Sequence, residues 1–494
     1  MLWLTATCCG AAVMGFELAG ARLLMPAYGM GVEVWAAVIA TTLGALAIGY
    51  ALGGRVADAW PSLTAPALML LLAGSALAAV QSISSVILSR LEALSFVTGA
   101  WCSSAAILGM PLVLLGAVQP MIARLLIHSA ERAGTTVGGL MAAGTIGGVA
   151  GTAGTALVLL PRIGVGAMLL ALAGVVLILS ITVLAFTRRW CLVLAATLAA
   201  AGSFTWARTA QSAPPTGEAT RVLEAVEGIY GRLEVLEHNG ARMLACDGIF
   251  QTALSAHGLG LQRGMLIRGR DYIELIPYFR PHARTALLIG VGGGLHAQAL
   301  TLHGIDVQGV EIDPAVVELA AKYFGLDIQV TVSDGRSFVR RSERQFDVII
   351  LDAFLGSSVP AHLYTREAFR LAAKRLAPGG VMAVHIISRP RHPATRAMAA
   401  TLRAALPHMI GIRSGLGDEL QHIYLLAGRE PFETHALAWA ELEAYGFTGE
   451  EFFEPPTEEA ELLTDDRNRL ALISRELVIR HRTQCLAHRR KPSW

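Results

Sequence analysis

The sequence predicts a chain of two unlike units: a multi-pass α-helical bundle suited to a membrane, followed by a soluble α/β domain built on a mostly parallel sheet. Three observations predict it. The 494 residues are 54% hydrophobic and 16% charged. The charges are segregated, with nine Arg, no Lys and five acids in residues 1–208, 14 of the 78 charged residues in the chain. Beyond residue 285, short β-type apolar runs alternate with helical stretches, the pattern of a parallel sheet covered on both faces. A net charge of +2 from 40 basic and 38 acidic residues argues against nucleic acid as a partner.

In the first unit (1–207), a spanning helix needs about 20 apolar residues, and such runs lie near 4–25, 31–53, 64–86, 95–118, 135–160, 163–186 and 190–207. That is about seven helices. The first carries Glu17 and Arg22 and is too long and interrupted for a cleaved signal peptide. The small residues of Gly138–Gly151 let neighbouring helix backbones approach closely, so a packed bundle is expected. Arg55, Arg124, Arg132, Arg188 and Arg189 fall in alternate loops against Arg90 and Arg162, which assigns the first set to the cytoplasm. Seven spans would then put the second unit outside. The chemistry argued below requires it in the cytosol, and the weakest run, 190–207, is expected to lie along the interface. The six cysteines form neither a disulfide framework nor a zinc pattern, and no metal is expected. Glu17 is costly to bury alone; an ion pair with Arg22 is weighed at two to one against a transport pathway.

Residues 208–222, polar and Pro-rich, read as a linker. Residues 223–275 read as a small antiparallel β-lobe, with a hairpin turning at His238-Asn239-Gly240. In residues 276–450, strands are expected at Ala286–Gly290, Val307–Ile312, Gln329–Val332, Asp347–Asp352, Gly380–Ile386 and His422–Ala427, with helices starting near 294, 314, 335, 364 and 393. Residues 451–494 form a tail whose basic end, His481–Lys491, is expected to be solvated or lipid-facing.

In such sheets ligands bind beyond the carboxyl ends of the strands, and those positions hold a set. Gly290-Val-Gly292-Gly293-Gly294 permits a tight turn that brings backbone N–H groups and a helix N-terminus to a ligand. Glu311-Ile-Asp313 begins 21 residues beyond Gly290, the offset at which an acid accepts from ribose hydroxyls. Asp334-Gly335 is placed to face an adenine amino group, and Asp352 follows the fourth strand. Any one acid could equally cap a helix; four at successive strand ends make coincidence unattractive.

With these elements in view, residues 223–390 resemble the spermidine synthase, or polyamine aminopropyltransferase, family, and the whole chain resembles its membrane-fused bacterial members. The further matching pieces are Tyr230-Gly231-Arg232, Asp247-Gly248-x-x-Gln251, Tyr272-Ile-Glu274 and Pro360-x-His362-Leu363-Tyr364-Thr365. Gly15–Leu23 and Gly49–Asp58 resemble the fused members' membrane half, and Gly53–Asp58 also resembles a transporter loop. The resemblance implies a Rossmann-like fold that holds S-adenosylmethionine, or its decarboxylated form, by Gln251, Gly290, Gly292, Gly294, Glu311, Asp313, Asp334 and Gly335. It also implies loss of 5′-methylthioadenosine at a site containing Asp352 and Tyr272.

Three departures from that pattern matter. Gly293 stands where the family's glycine loop carries an acid, Arg268 where an acid holds a substrate ammonium, and Leu355 where a second aspartate is usual. Asp271 is expected to point elsewhere on a regular element. A diamine would then be poorly neutralised, whereas Arg268 would suit the carboxylate of intact S-adenosylmethionine. The expected reaction is therefore attack of that carboxylate on its own γ-carbon, giving a homoserine lactone. Intramolecular attack of this kind gains up to about 7–11 kcal/mol from proximity. The alternatives are aminopropyl transfer to an amine, a transporter with a nucleoside-sensing domain and, third, a plain methyltransferase. The expected partners are a small nucleoside substrate and the lipid bilayer of the inner membrane, with homodimer formation left open. Leu463–Arg467 is weighed equally as a lid and as a solvated helix start.

Overall fold

A computed structural model gives the structure at residues 1–28, 32–91, 94, 96–187, 197, 201–202, 220–228, 230–238, 240–254, 262–263, 265–268, 270–354, 359–432 and 436–490. Two compact units divide at Pro215/Thr216.

In the first unit, six helices among the described residues are long and apolar enough to cross a membrane. They are α1 (Leu2–Tyr28), α2 (Val32–Ala59), α3 (Thr64–Leu91), α4 (Phe96–Leu126), α5 (Ala133–Gly154) and α6 (Leu160–Phe186). The expected seventh run, 190–207, falls almost wholly outside the described residues. Helices α5 and α6 are joined by a wide turn at Thr155–Leu159, and Gly164 at φ +71° interrupts α6. The glycines do the packing expected of them. A Cβ on Gly147 would lie 1.9 Å from the Thr7 carbonyl oxygen and one on Gly10 2.0 Å from that of Gly144, so α1 and α5 meet backbone to backbone. Hydroxyls tie other helices: Ser180 donates to the Ala67 carbonyl at 2.7 Å, and Tyr28 bonds Ser103 at 3.0 Å. Glu17 lies beside Thr42 of α2.

The second unit has two sheets. The β-lobe is an antiparallel meander, β1 (Thr220–Glu227), β2 (Arg232–His238), β3 (Ala241–Cys246) and β4 (Ile249–Leu254). Its hairpin turns where expected, but β1 begins inside the predicted linker because Thr220–Val222 pair with Leu236–His238. The main sheet runs β12-β10-β11-β9-β8-β5-β6-β7. Its parallel part is β5 (Thr285–Ile289), β6 (Asp306–Glu311), β7 (Gln329–Val332), β8 (Phe346–Leu351) and β9 (Leu376–Ser388). Strands β11 (Gln421–Gly428), β10 (His408–Arg413) and the short β12 (Phe452–Phe453) extend it antiparallel. Helices begin at Leu295, Pro314, Gly335, Arg366 and Pro393, within two residues of expectation.

From β5 the chain winds one way through β6 and β7, then returns to the other side of β5 as β8. The loops after β5 and β8 therefore flank the point where strand order reverses, where a crevice opens beyond the strand ends. Two apolar layers, one around Phe346, Phe369 and Val384 and the other around Ile350, Leu288 and Leu426, bury the sheet's faces. The crevice thus sits on a rigid base.

Candidate active site

The glycine loop is shaped by close approaches. Gly290 has φ +88°, and a Cβ there would stand 2.2 Å from the Asp352 carbonyl oxygen, so only glycine lets the ends of β5 and β8 touch. Asp352 N–H donates to the Ile289 carbonyl at 2.9 Å, closing the contact. Thr252 of β4 accepts from Gly293 N–H at 2.8 Å, and a Cβ on Gly293 would lie 2.5 Å from the Thr252 methyl. Thr252 thus occupies the space a side chain at 293 would need, which explains the missing acid. Gln251, its neighbour on β4, is half-buried. Gly292 and Gly294 also have positive φ, +53° and +81°, and Gly294 leads into the helix Leu295–Leu302.

Glu311 is buried at the end of β6 and grips this loop. One carboxylate oxygen accepts from Val291 N–H at 3.0 Å, and the other from Ile312 and Asp313 N–H at 2.8 and 3.1 Å. Burial raises its titration against the pull of these bonds. Asp313 and Asp334 do cap helices, accepting from Ala315 N–H at 3.0 Å and Ser337 N–H at 2.8 Å. Asp334 also meets His362 Nε2 at 2.7 Å; burial opposes its ionisation, but the imidazole and the Ser337 bonds win, and its carboxyl titrates low. Gly335 is required beside it, because a Cβ there would lie 2.4 Å from Ile289. Tyr230 faces this group: burial, then Asp313, Asp334 and Glu311, push its hydroxyl up. The residues expected to hold a nucleoside around Glu311, Asp313 and Asp334 are therefore gathered in one place, even though two of them cap helices as well.

At the end of β8, Asp352 is part of a cluster that sequence reasoning missed. Its Oδ1 lies 2.6 Å from His385 Nδ1 and its Oδ2 2.9 Å from His296 Nδ1. His296 Nε2 meets Asp271 Oδ2 at 2.6 Å, Tyr424 donates to Asp271 Oδ1 at 3.0 Å, and His385 Nε2 lies 2.9 Å from His422 Nδ1. The Tyr424 ring stacks on His385 at 4.7 Å. Both nitrogens of His296 face carboxylates, so both must donate and the ring is an imidazolium. Burial opposes that charge, but Asp271 and Asp352 raise its titration well above the ordinary value. In return, and against their own burial, Asp271 is held at about 2 and Asp352 lower still.

Asp271 does not point away, as expected from its position next to Tyr272. It caps the short helical turn Tyr272–Leu275 through Ile273 N–H, and its other oxygen is free to turn inward. Tyr272 is near the cluster without joining it. Its ring packs edge-on against Tyr424, its hydroxyl is bonded to Glu451, and burial, then Glu451, push it up to about 12. Glu274 is fully buried and structural, accepting from Leu266 N–H and meeting His303. Arg268 closes the one-turn helix Met265–Arg268; its side chain and Leu355 lie outside the described residues.

The tail is not a solvated appendage either. Asp465 pairs with Arg336 through two bonds of 2.7 and 2.5 Å and accepts from Thr365 at 2.8 Å, beside the Asp334 turn. In the last helix, Arg475–Arg490, Arg482 is 3% exposed and donates to the Asp247 carbonyl, while His481 lies close enough to His385 for the two charges to oppose each other. Among the described residues, no cluster suited to a metal ion occurs.

One signal could have disclosed the cluster. Leu351 pairs with Val384 in β8–β9 and Tyr424 with His385 in β9–β11, so Asp352, His385 and Tyr424 are lateral neighbours once strand order is known.

Residues 272–389 match the spermine/spermidine synthase domain. A probable polyamine aminopropyl transferase of Bifidobacterium longum is 32% identical over 165 residues, 32% of this chain and 36% of that one. A polyamine aminopropyltransferase of Mycobacterium tuberculosis is 30% identical over 314 residues, 55% of this chain and 56% of that one. The match thus spans only about a third to just over half of those relatives' length. A probable spermidine synthase from Corynebacterium glutamicum aligns with 51% of this chain and 97% of its own, at 17% identity and a TM-score of 0.42. Over residues 272–389 of its α/β unit, the chain is similar to the spermine/spermidine synthase family.

Proposed function

We propose that the α/β unit binds S-adenosylmethionine or its decarboxylated form between the glycine loop, Glu311 and Asp334, and cleaves the bond between sulfur and the γ-carbon, releasing 5′-methylthioadenosine. The observation that carries this reading is the Asp352 cluster at the strand reversal, touching the glycine loop on one side and imidazoles on the other. Relatives named as aminopropyltransferases support it.

Of the two fates of the transferred carbon, the imidazoles favour an external amine. An ammonium must lose a proton before it can attack, and positioned proton acceptors contribute about 10²- to 10⁴-fold to such steps. Carboxylate attack to form a lactone needs no proton acceptor. One observation speaks for the lactone: Asp271 and Asp352 are already paired with His296, so neither is left wholly for a second cation. Incubating the full chain with each nucleoside, with and without putrescine, and measuring methylthioadenosine by chromatography decides between them. Amine-dependent release from the decarboxylated nucleoside supports transfer. Release from S-adenosylmethionine alone supports the lactone, and no release from either removes the enzyme reading.

A further inference from the structure

Resting on the amine-transfer reading, we infer that the proton lost by the acceptor is taken up by the His422–His385 pair, with His422 as the contacting group and Asp352 as the fixed anion behind it. The geometry runs in one line. Asp352 is ionised and can only accept, so His385 turns its Nδ1–H toward Oδ1 at 2.6 Å. His385 Nε2 is then free to accept from His422 Nδ1–H at 2.9 Å. That leaves the outer nitrogen, His422 Nε2, with its lone pair directed away from the pair. His385 is 6% exposed and Asp352 half-buried, whereas His422 is an exposed residue, so the line leads outward from the carboxylate to the protein surface. Stacking of Tyr424 and Phe354 edge contact fix the His385 ring plane.

The step balances as follows. His422 Nε2 takes a proton from the acceptor's ammonium, and His422 Nδ1–H passes to His385 Nε2. His385 becomes an imidazolium that donates to Asp352 and to the now unprotonated His422 Nδ1. The neutral amine attacks the γ-carbon, a nitrogen–carbon bond forms, the sulfur–carbon bond breaks, and its electron pair returns to sulfur as the neutral thioether. Solvent later takes one proton from the exposed end, restoring the pair. Asp352 itself gains no proton, in keeping with its two short imidazole contacts.

The surroundings suit a His422 that rests neutral. Neighbouring protein around the His422 ring, then the charge of His385, lower its titration to about 4. His481, from the last helix, is itself lowered to about 4, chiefly by burial and next by His385. The other groups facing the pair are Asp352, Asp271, the His296 imidazolium and the Tyr424 hydroxyl. Arg270 bonds the Ser414 carbonyl, and the Ser414 hydroxyl accepts from His422 N–H.

The test is the pH profile of amine-dependent methylthioadenosine release by full chain carrying His422→Gln, with His385→Asn and Asp352→Asn alongside. A loss of about 10²- to 10⁴-fold in kcat for His422→Gln, with the acid limb of the profile removed, nucleoside affinity retained and partial rescue by added imidazole, is expected. An unchanged profile in His422→Gln, or loss only in Asp352→Asn, overturns the relay and leaves amine transfer standing. Release that never depends on an amine in the unaltered protein overturns both, since then no proton has to be removed.

Discussion

Glu311 serves two masters at one carboxylate. Its four lone-pair directions already meet three backbone N–H groups of the loop and of the β6 turn, so a ribose hydroxyl would share an acceptor that also holds the loop closed. Glu311→Ala is expected to weaken methylthioadenosine binding and also to lower the melting temperature, because buried donors lose their partner at about 1–3 kcal/mol. Calorimetry and melting curves check both; weakened binding with unchanged stability would show that the loop closes without it. His296 makes a different residue-scale prediction. Its raised titration stabilises the fold fully below the unfolded value of about 6.5 and is lost as pH rises through the folded value. The depressed Asp271 contributes above its unfolded value of about 3.8 and is lost as pH falls toward about 2. The gap in melting temperature between the unaltered protein and His296→Gln should therefore be widest near pH 4–6.5 and close in alkali; a gap that grows with pH contradicts the imidazolium.

Among the elements, the last helix shows how much of the site depends on parts distant in sequence. Arg482 is buried, which lowers its titration to about 10, and it donates to Asp247, the turn residue that also accepts from Arg232 N–H. Arg482→Ala should loosen the β3–β4 turn, and hydrogen exchange at residues 246–250 should rise while exchange in β5 and β6 stays unchanged; uniform change would mean a general loss of stability. The strands of the parallel sheet were legible because a strand buried on both faces writes a continuous apolar run, and β5 to β8 begin or end within one residue of expectation. Strand β10 was not, since His408–Arg413 mixes half-buried and buried positions at the sheet's outer part, and β12 is only two residues long. The acids of the proposed nucleoside site were legible because each follows its own strand. The imidazole cluster was not, because it needs the lateral order β8-β9-β11 and a helix that starts at the glycine loop, and neither is a property of any single segment.

At the scale of the whole molecule, the unresolved matter in the sequence was orientation, and the six described helices change its arithmetic. The Arg-rich ends at Arg55, Arg124 and Arg132 belong to one set of alternate loops, which the charge rule assigns to the cytoplasm, and six crossings by the described helices would return the chain to that side. The conflict with a cytosolic substrate rests on the run 190–207, which falls almost wholly outside the described residues. Testing this needs a thiol that solvent can reach. Cys246 is unsuitable, at 8% exposure in the β-lobe, whereas Leu416 is 52% exposed in the loop between β10 and β11. Leu416→Cys in intact cells is expected to resist a membrane-impermeant maleimide and to react fully once the membrane is permeabilised, with Cys102, exposed within α4, replaced by serine to clear the background. Equal labelling before and after permeabilisation would place the α/β unit outside, away from any cytosolic sulfonium nucleoside, and the proposed reaction would lose its substrate.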